Sequence, residues 1–466
     1  MTIKIKSDNG RPVLQGVQEA SVQSGFLHAF FNTLNGMSVE YSVIRNYETL
    51  PQKVTGTDID MVVRSADFRR ITSAVDAVAR SVGYARWKSY RKNYDIVQTS
   101  YAPIECENPE DVVRVDFMMD GVKWRGLDLM DPQVIWDNTV TLGGVRVLKD
   151  PAKTALTLIN SLVFGSGLKE KYLAEYTSLE GGDKKRADKL ISDSIGASAK
   201  HVIEHLAALS SQPSGHPASA LDTRPIRSSF MKAKAMKAPS ILSGLASWAK
   251  TSVTRLLAPP GLFVVFIGPD GCGKSTMNAE VQRRCARMFS GVDTFHLFPK
   301  PGIFASLDRK SMKRWEKRHT DRQEWELRSA TFPAWKSIAR CSYLLLRFWA
   351  GYLLWVYPRV SRGRLVIGER WCYDILFDPA SKGIGLPYRL RRFFYSLCPS
   401  PSVTLVLAGA PEKMAERKKE LPVGEITKQL DAMKKELGGR KGISIADSTA
   451  GIEETFKSVL KALISA

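Results

Sequence analysis

Residues 262–276 have the sequence LFVVFIGPDGCGKST, and this stretch decides the fold of the C-terminal half of the chain. The run 262–267 is unbroken, apolar and rich in β-branched and aromatic residues, which predicts a buried strand. A glycine-rich turn follows at 268–273, and residues of helix-forming character continue from Met277. A strand, a glycine-rich turn and a helix are the context that a phosphate-binding loop requires. We therefore predict a phosphate loop here in preference to an ordinary glycine turn.

The residue types in this loop suit a nucleotide. Glycines allow backbone N–H groups to close around phosphate oxygens without Cβ clashes, and the helix N-terminus adds the positive end of its dipole. The Lys274 ammonium would neutralise the β- and γ-phosphates, and the Ser275 hydroxyl would contact Mg²⁺. The residues predicted to bind the nucleotide are Gly268, Gly271, Gly273, Lys274, Ser275 and Thr276.

Composition limits the class of protein. A chain of 466 residues with 44% hydrophobic residues is large enough for two or three domains with buried cores. The N-terminus lacks an apolar core of signal-peptide length and the six cysteines form no C-x-x-C pair, so we expect a reducing, cytoplasmic setting. The net charge of +21 predicts polyanionic partners, whether nucleotides, nucleic acid, anionic glycan or a membrane face.

A group of acidic residues marks the N-terminal part of the chain. Alternation through Asp58-Ile59-Asp60-Met61 predicts a strand with both carboxylates on one face, where they could share a divalent metal ion. A later strand at 111–118 brings a third acid, Asp116. The alternative is that Asp58 and Asp60 only end a strand at a solvated edge.

These acids resemble those of the nucleotidyltransferase superfamily over about residues 25–150. The pattern is Gly56-Thr57-Asp58-x-Asp60 with the distant Asp116, although Arg45-Asn46 stands where a Gly-Ser or Gly-Gly pair is common. The resemblance implies an α+β nucleotidyltransferase-like domain over 1–150, in which three acids hold Mg²⁺ against a nucleoside triphosphate.

The middle of the chain carries helical patterns and then a basic stretch. We predict a helical appendage at 151–210, followed by a basic linker at 211–260 that is either a solvated tether or a contact for a polyanion or membrane. Within the appendage, His201 and His205 form an H-x-x-E-H pattern that could bind zinc on a helix. We interpret it as a chance match, because no third ligand is evident nearby.

The second domain is predicted to span 261–466. A short buried strand at 365–367 leads to Glu369 and Arg370, at the strand end where α/β sheets bind their ligands. The phosphate loop with Asp270, the Glu-Arg-Trp turn, and the basic run from Arg417 together resemble the thymidylate-kinase-like family of P-loop kinases. The resemblance implies a central parallel sheet flanked by helices, with ATP and Mg²⁺ as cosubstrates.

The same resemblance implies a role for each matching residue. Lys274 and Ser275 would serve ATP and Mg²⁺, and Glu369, in the place of a commoner Asp, would serve the metal or its waters. Asp270 would contact the acceptor sugar and Arg370 the acceptor phosphate.

The resemblance also implies a mobile lid beginning at Arg417 and Lys418. Ala408 stands where many relatives have Asp, which weakens the assignment of dTMP itself as the acceptor. The combination with the front domain is similar to proteins of bacterial surface-glycan loci.

Two further segments leave alternatives open. The apolar run 341–357 predicts a long helix packed on the kinase sheet, with an interfacial membrane helix as the alternative. The basic run 309–322 predicts a solvated helix, or else a surface for a polyanionic acceptor. A last strand at 442–447 and a closing helix from Ile452 complete the pattern.

The sequence thus favours an ATP-dependent kinase that acts on a nucleoside monophosphate or a related phosphorylated or glycan acceptor. One alternative is nucleotidyl transfer at Asp58, Asp60 and Asp116; another is an ATP-binding scaffold for surface-polysaccharide machinery. We expect no specific nucleic-acid partner. The sequence does not decide whether the protein contacts a membrane surface or whether it forms a dimer.

Overall fold

The structure is a computed structural model that describes residues 21–93, 95–165, 168, 170–210, 223–235, 238–299, 332–417 and 421–466. The predictions made for the N-terminal eight residues, for the basic run 309–322 and for Lys418 lie outside the described residues.

The front part of the chain forms a seven-stranded mixed sheet in the order β3-β4-β5-β2-β1-β9-β8. Its strands are β1 Tyr41–Val43, β2 Ile59–Val63, β3 Tyr84–Arg91, β4 Ile96–Pro103, β5 Val113–Met119, β8 Thr139–Leu142 and β9 Val145–Leu148. A separate two-stranded ribbon consists of β6 Lys123–Trp124 and β7 Leu127–Asp128. Strands β2 and β5 run parallel at the centre, with Asp60 opposite Asp116.

Both faces of this sheet are covered, which explains why every residue of β2 is buried. On one face, Met61 packs with side chains of two amphipathic helices, Val22–Gly36 and Phe68–Ser81. Val62 alternates with Met61 and packs on the other face, against the helical appendage. Asp60 shares the parity of Val62 and therefore points toward the appendage side.

The helical appendage extends further along the chain than the sequence predicted. Its helices are Ala152–Phe164, Glu170–Thr177, Gly181–Ile195, Ala199–Ser210 and Thr223–Ala235, and a short helix, Pro132–Asp137, precedes them in the sheet domain. Part of the predicted linker is folded, because Ile226 and Phe230 are buried in the same core as the appendage. A further helix, Ala238–Leu257, leads to the second domain. The polar, basic composition of 211–260 predicted a linker, although spaced apolar residues within this range pack into the core.

The second domain contains a five-stranded, all-parallel sheet in the order β11-β12-β10-β13-β14. Its strands are β10 Leu262–Ile267, β11 Val292–His296, β12 Leu365–Glu369, β13 Val403–Ala408 and β14 Ile443–Asp447. After the central strand β10, the chain forms β11 and β12 on one side of it and then β13 and β14 on the other side. Ligands of open parallel sheets bind at such a switch of strand order, beyond the carboxyl ends of the strands.

Helices cover both faces of the parallel sheet, as α/β architecture requires. They are Lys274–Cys285, Ala334–Gly351, Tyr357–Val360, Asp374–Phe377, Tyr388–Ser396, Pro411–Arg417, Val423–Leu437 and Ile452–Ile464. The predicted long helix over 341–357 is present, continues through a π-helical turn at 352–356, and packs its Phe348 side on the sheet. Within the described part of the chain, no helix has both the length and the apolar character that crossing a membrane requires.

The two domains meet at the end of the parallel sheet that is remote from the phosphate loop. The Arg114 guanidinium, from the front sheet, donates to the carbonyl oxygens of Arg287 at 2.6 Å and Phe289 at 3.0 Å. The rings of Trp87 and Phe289 pack edge to face with centroids 5.5 Å apart. The Arg287 and Phe289 carbonyls follow the helix that begins at Lys274, so that helix connects the phosphate loop with the interface.

The Lys88 side chain is half-buried in this interface. It donates to the Pro260 carbonyl at 3.3 Å and lies over the rings of Trp87 and Phe289. Burial lowers the pKa of Lys88 from 10.5 to about 7. The folded protein therefore loses stability as the pH falls from about 10.5 to about 7. The reason is that Lys88 binds its proton more tightly in the unfolded chain than in the folded one.

We expect Lys88→Met to be more stable than the parent chain at pH 7 by about 1–3 kcal/mol, because the cost of burying the ammonium is removed. The difference should disappear at about pH 11.5, above the pKa of 10.5 in the unfolded chain, where the parent lysine is largely neutral in both states. Urea unfolding at the two pH values measures this, with the exposed Lys200→Met as the control. A loss of stability that is equal at both pH values would contradict the expectation.

Candidate functional site

The phosphate loop joins the central strand β10 to the helix Lys274–Cys285. Gly271 and Gly273 both have φ of +85°, a conformation that a side chain would strain. A Cβ on Gly268 would lie 2.6 Å from the Leu407 carbonyl oxygen of β13, so this glycine is also required by close packing. The local geometry therefore depends on the glycines that the sequence pattern singled out.

The Lys274 side chain folds back over the loop and is almost fully buried. Its ammonium donates to the carbonyl oxygens of Gly268 and Pro269, each at 2.8 Å, and lies 3.8 Å from an Asp270 carboxylate oxygen. These contacts satisfy the charge with acceptors that belong to the loop itself. A bound polyphosphate would offer the same ammonium stronger, charged acceptors at close range.

Glu369 faces the loop from the carboxyl end of β12. One of its carboxylate oxygens accepts from the Ser275 hydroxyl at 3.3 Å, and the other accepts from the Asn278 amide at 2.9 Å. His296 ends the neighbouring strand β11 directly opposite Glu369. Burial lowers the pKa of His296 from its ordinary value of 6.5, which favours the neutral imidazole at pH 7.

Arg370 lies beside Glu369 and pairs with Asp270 of the phosphate loop. Burial lowers the pKa of the guanidinium, but the carboxylates of Asp374 and Asp270 raise it by more, so the net shift is upward. Asp378 lies 4.0 Å away on the other side of the guanidinium. Arg370 is therefore a fixed cation between the loop and a small acidic group.

The backbone that presents Arg370 is strained. Arg370 has φ of +71° and Trp371 has φ of +48°, values that residues other than glycine rarely adopt. Each such residue costs about 1–3 kcal/mol and persists only where the surrounding structure holds it. Here Trp371 is completely buried, and its indole N–H donates to the Pro399 carbonyl at 2.9 Å.

An open cavity of about 640 Å³ lies over the phosphate loop. Lys274, Glu369 and Arg370 line it on one side, and Arg417 with Ser448 lines it on the other. The Arg417 guanidinium donates to the Ser448 carbonyl at 3.1 Å, which holds this cation at the cavity wall. The volume is within the range of small-ligand sites.

A second space, on the far side of Asp270 and Arg370, is nearly closed at about 20 Å³. Tyr373, Asp378 and Gln429 contribute to its lining. The position fits the acceptor side that the sequence predicted for Asp270 and Arg370. An acceptor of nucleotide size would need this space to widen.

The structure also brings together the three acids of the front domain. Lys92 bridges two of them, with its ammonium 2.6 Å from an Asp116 oxygen and 3.8 Å from an Asp58 oxygen. Arg45 bonds to Asp60 at 2.5 Å. Arg114, the interface residue, lies 3.8 Å from Asp58. Three cations therefore accompany three carboxylates.

This arrangement does not fit a metal site as it stands. The Asp116 oxygens accept from Lys92 and from the Gln98 amide, and Arg45 occupies an Asp60 oxygen, so the oxygens that Mg²⁺ would take are already bonded. Burial raises the pKa of Asp60 to about 6, although Arg45 opposes the shift. Among the residues that the structure describes, no group of three or more His, Cys, Asp and Glu side chains is arranged to hold a metal ion. The assignment of Mg²⁺ to Asp58, Asp60 and Asp116 stays a prediction.

The two histidines of the H-x-x-E-H pattern lie on the helix Ala199–Ser210 with ring centroids 6.5 Å apart. They belong to no metal-binding group in the described part of the chain.

The phosphate-loop residues do fit ATP and Mg²⁺. The Ser275 hydroxyl and the Glu369 carboxylate offer oxygen ligands side by side, which is the donor type that Mg²⁺ prefers. Asn278, which holds Glu369, was missed in the sequence although it lies one helical turn beyond Ser275. His296 and Ser448 were also missed, and no local pattern marks them.

The fold and this site define the class of the second domain: a P-loop α/β domain, with a parallel sheet, helices on both faces and the loop on the central strand. Neither a protein-family model nor a curated protein matches the sequence. Among solved structures, thymidylate kinase from Ehrlichia chaffeensis is similar with a TM-score of 0.30 and 15% identity, over 44% of this chain and 100% of that chain. The class of the second domain is therefore assigned from the strand order and the loop, and not from this similarity.

Proposed function

We propose that the second domain is an ATP-dependent phosphotransferase of the thymidylate-kinase-like type. The observation that carries the proposal is the convergence of Lys274, Ser275, Glu369 and Arg370 at the carboxyl ends of β10 and β12. Two cations and one acid are thereby held over a cavity large enough for a nucleotide.

The reaction moves the γ-phosphoryl group of ATP to an acceptor oxygen, with ADP as the leaving group. Phosphoryl transfer depends mostly on positioning and on neutralising charge in a loose transition state. Ser275 and Glu369 would hold Mg²⁺, which would supply positive charge against the phosphates of ATP. Lys274 neutralises the transferred group from the loop side.

The acceptor side supports a phosphorylated acceptor with a hydroxyl-bearing sugar. Arg370 is the cation available for an acceptor phosphate, which would compete with Asp270 for the guanidinium. Released from that pair, the Asp270 carboxylate can accept a hydrogen bond from a sugar hydroxyl. A nucleoside monophosphate such as dTMP satisfies both groups, and so does a glycosyl phosphate.

The experiment is release of ADP by the purified chain with Mg²⁺-ATP, with dTMP, with a glycosyl phosphate, and without acceptor. Acceptor-dependent ADP release, with the phosphorylated product identified by mass, supports the proposal. If ATP binds but neither acceptor is phosphorylated, the result would instead favour the alternative of an ATP-binding scaffold.

A variant of Glu369 tests the proposed metal position. We expect Glu369→Gln to lower acceptor-dependent turnover by roughly tenfold to a hundredfold and to raise the Mg²⁺ concentration needed for half-maximal rate, because the amide removes the negative charge. Glu369→Asp keeps the charge and is the matched control, with a smaller loss expected. An unchanged Mg²⁺ dependence in Glu369→Gln would contradict this position.

A second candidate is nucleotidyl transfer at the front domain. It is favoured by the approach of Asp58, Asp60 and Asp116 to one another, and opposed by the cations that occupy their oxygens. Pyrophosphate release that is lost in Asp58→Ala and retained in Lys274→Ala would establish it.

A further inference from the structure

The helix Ala334–Gly351 is apolar on two faces, and the part of the chain that the structure describes covers only one of them. Cys341, Leu344 and Phe348 face the sheet and are buried. On the opposite side Trp335 is exposed and Leu346 exposes 72% of its surface. A helix that is apolar all round is normally buried on all sides, so the outer face is suited to a partner.

The exposed surface continues onto a second helix. The Trp349 indole N–H donates to the Leu397 carbonyl at 2.9 Å, which joins the long helix to the end of Tyr388–Ser396. We call the exposed apolar side chains of the two helices the apolar patch: Trp335, Ile338, Leu346, Trp349, Phe393 and Leu397. Contiguous apolar surfaces of this kind mark interaction sites.

The charged residues on the two helices that carry the apolar patch are all basic, although Glu436 of a neighbouring helix pairs with Arg392. No acidic residue occurs in the sequence from 332 to 368, or from 388 to 402, whereas Arg recurs in both stretches and the first also contains Lys336. Helical spacing places Lys336, Arg340 and Arg347 along one side of the patch. The Lys336 ammonium lies 5.2 Å from the Trp335 ring, so cation and aromatic surface are adjacent.

We propose that the apolar patch binds the surface of an anionic phospholipid membrane. Aromatic and aliphatic side chains would enter the headgroup boundary, and the flanking cations would contact lipid phosphates. A second copy of the chain is a poorer occupant. A two-fold contact would bring together the basic residues of the two helices, which carry no acidic residue of their own.

The test is flotation of the full chain with vesicles of phosphatidylcholine alone, or of phosphatidylcholine mixed with phosphatidylglycerol. We expect binding to the anionic vesicles that weakens as salt rises. Leu346→Glu should abolish it. The double variant Lys336→Gln/Arg340→Gln should weaken it about 25-fold, since each basic residue near an anionic surface contributes about fivefold.

The control is Leu142→Glu, which places the same charge at an exposed leucine of the front sheet and should bind as the parent does. No binding to either vesicle type overturns the proposal. So does equal binding by parent and Leu346→Glu, or a dimer in sedimentation velocity that Leu346→Glu dissociates while vesicle binding is absent. The test needs no ATP and no acceptor, so its result does not depend on the proposed phosphotransfer.

Discussion

Lys274→Ala should lower ATP-dependent phosphoryl transfer by about a hundredfold to a thousandfold. Removing one preorganised charge from a transition state of this kind costs about 2–4 kcal/mol of barrier. The loop offers no substitute, because Lys274 is the single basic residue in the sequence from 268 to 276. The measurement is the acceptor-dependent rate of ADP release, beside direct calorimetry of ATP binding.

The control for this prediction is Lys200→Ala, since Lys200 is strongly exposed on a front-domain helix. It should leave both ATP binding and turnover unchanged. Thermal unfolding of Lys274→Ala checks that lost activity does not reflect lost fold, because the parent ammonium also bonds the Gly268 and Pro269 carbonyls. Turnover by Lys274→Ala within a factor of about three of the parent would contradict a phosphate-loop mechanism.

Trp371→Ala should destabilise the second domain by about 3–5 kcal/mol, the usual cost of removing a large buried aromatic side chain. The indole packs against the rings of Phe263 and Phe348, with centroids 5.2 Å and 4.7 Å away, in the core between the sheet and the long helix. It also holds the strained turn at Arg370. Turnover should therefore fall even at temperatures where the variant is folded.

Urea unfolding followed by circular dichroism measures the loss of stability. Trp335→Ala is the matched control, because Trp335 is largely exposed and its removal should change stability by no more than about 0.5 kcal/mol. Trp371→Phe keeps an aromatic ring but loses the bond to the Pro399 carbonyl and part of the indole volume, so an intermediate cost of about 1–3 kcal/mol is expected. A stable, fully active Trp371→Ala would show that this side chain does not support the turn.

The front-domain acids show which features of a site can be predicted from local sequence. Alternation predicted a strand with Asp58 and Asp60 on one face. The strand begins at Ile59, and Asp58 lies just before it, 3.8 Å from the Lys92 ammonium that also contacts Asp116. That Asp116 lies opposite Asp60 depends on the parallel pairing of β2 with β5. Their neutralisation by Lys92 and Arg45 could not be predicted, since it depends on strand order and on where long side chains reach.

The sequence by itself determined the phosphate loop of this protein. An apolar strand, glycines that tolerate positive φ, and a lysine and serine at the helix start specify the local structure within fifteen residues. Only the tertiary structure decided what faces the loop: Asn278 bonded to Glu369, and Asp270 bonded to Arg370. The physical reason is distance along the chain, because these pairs form only after parallel strands separated by about a hundred residues align their carboxyl ends.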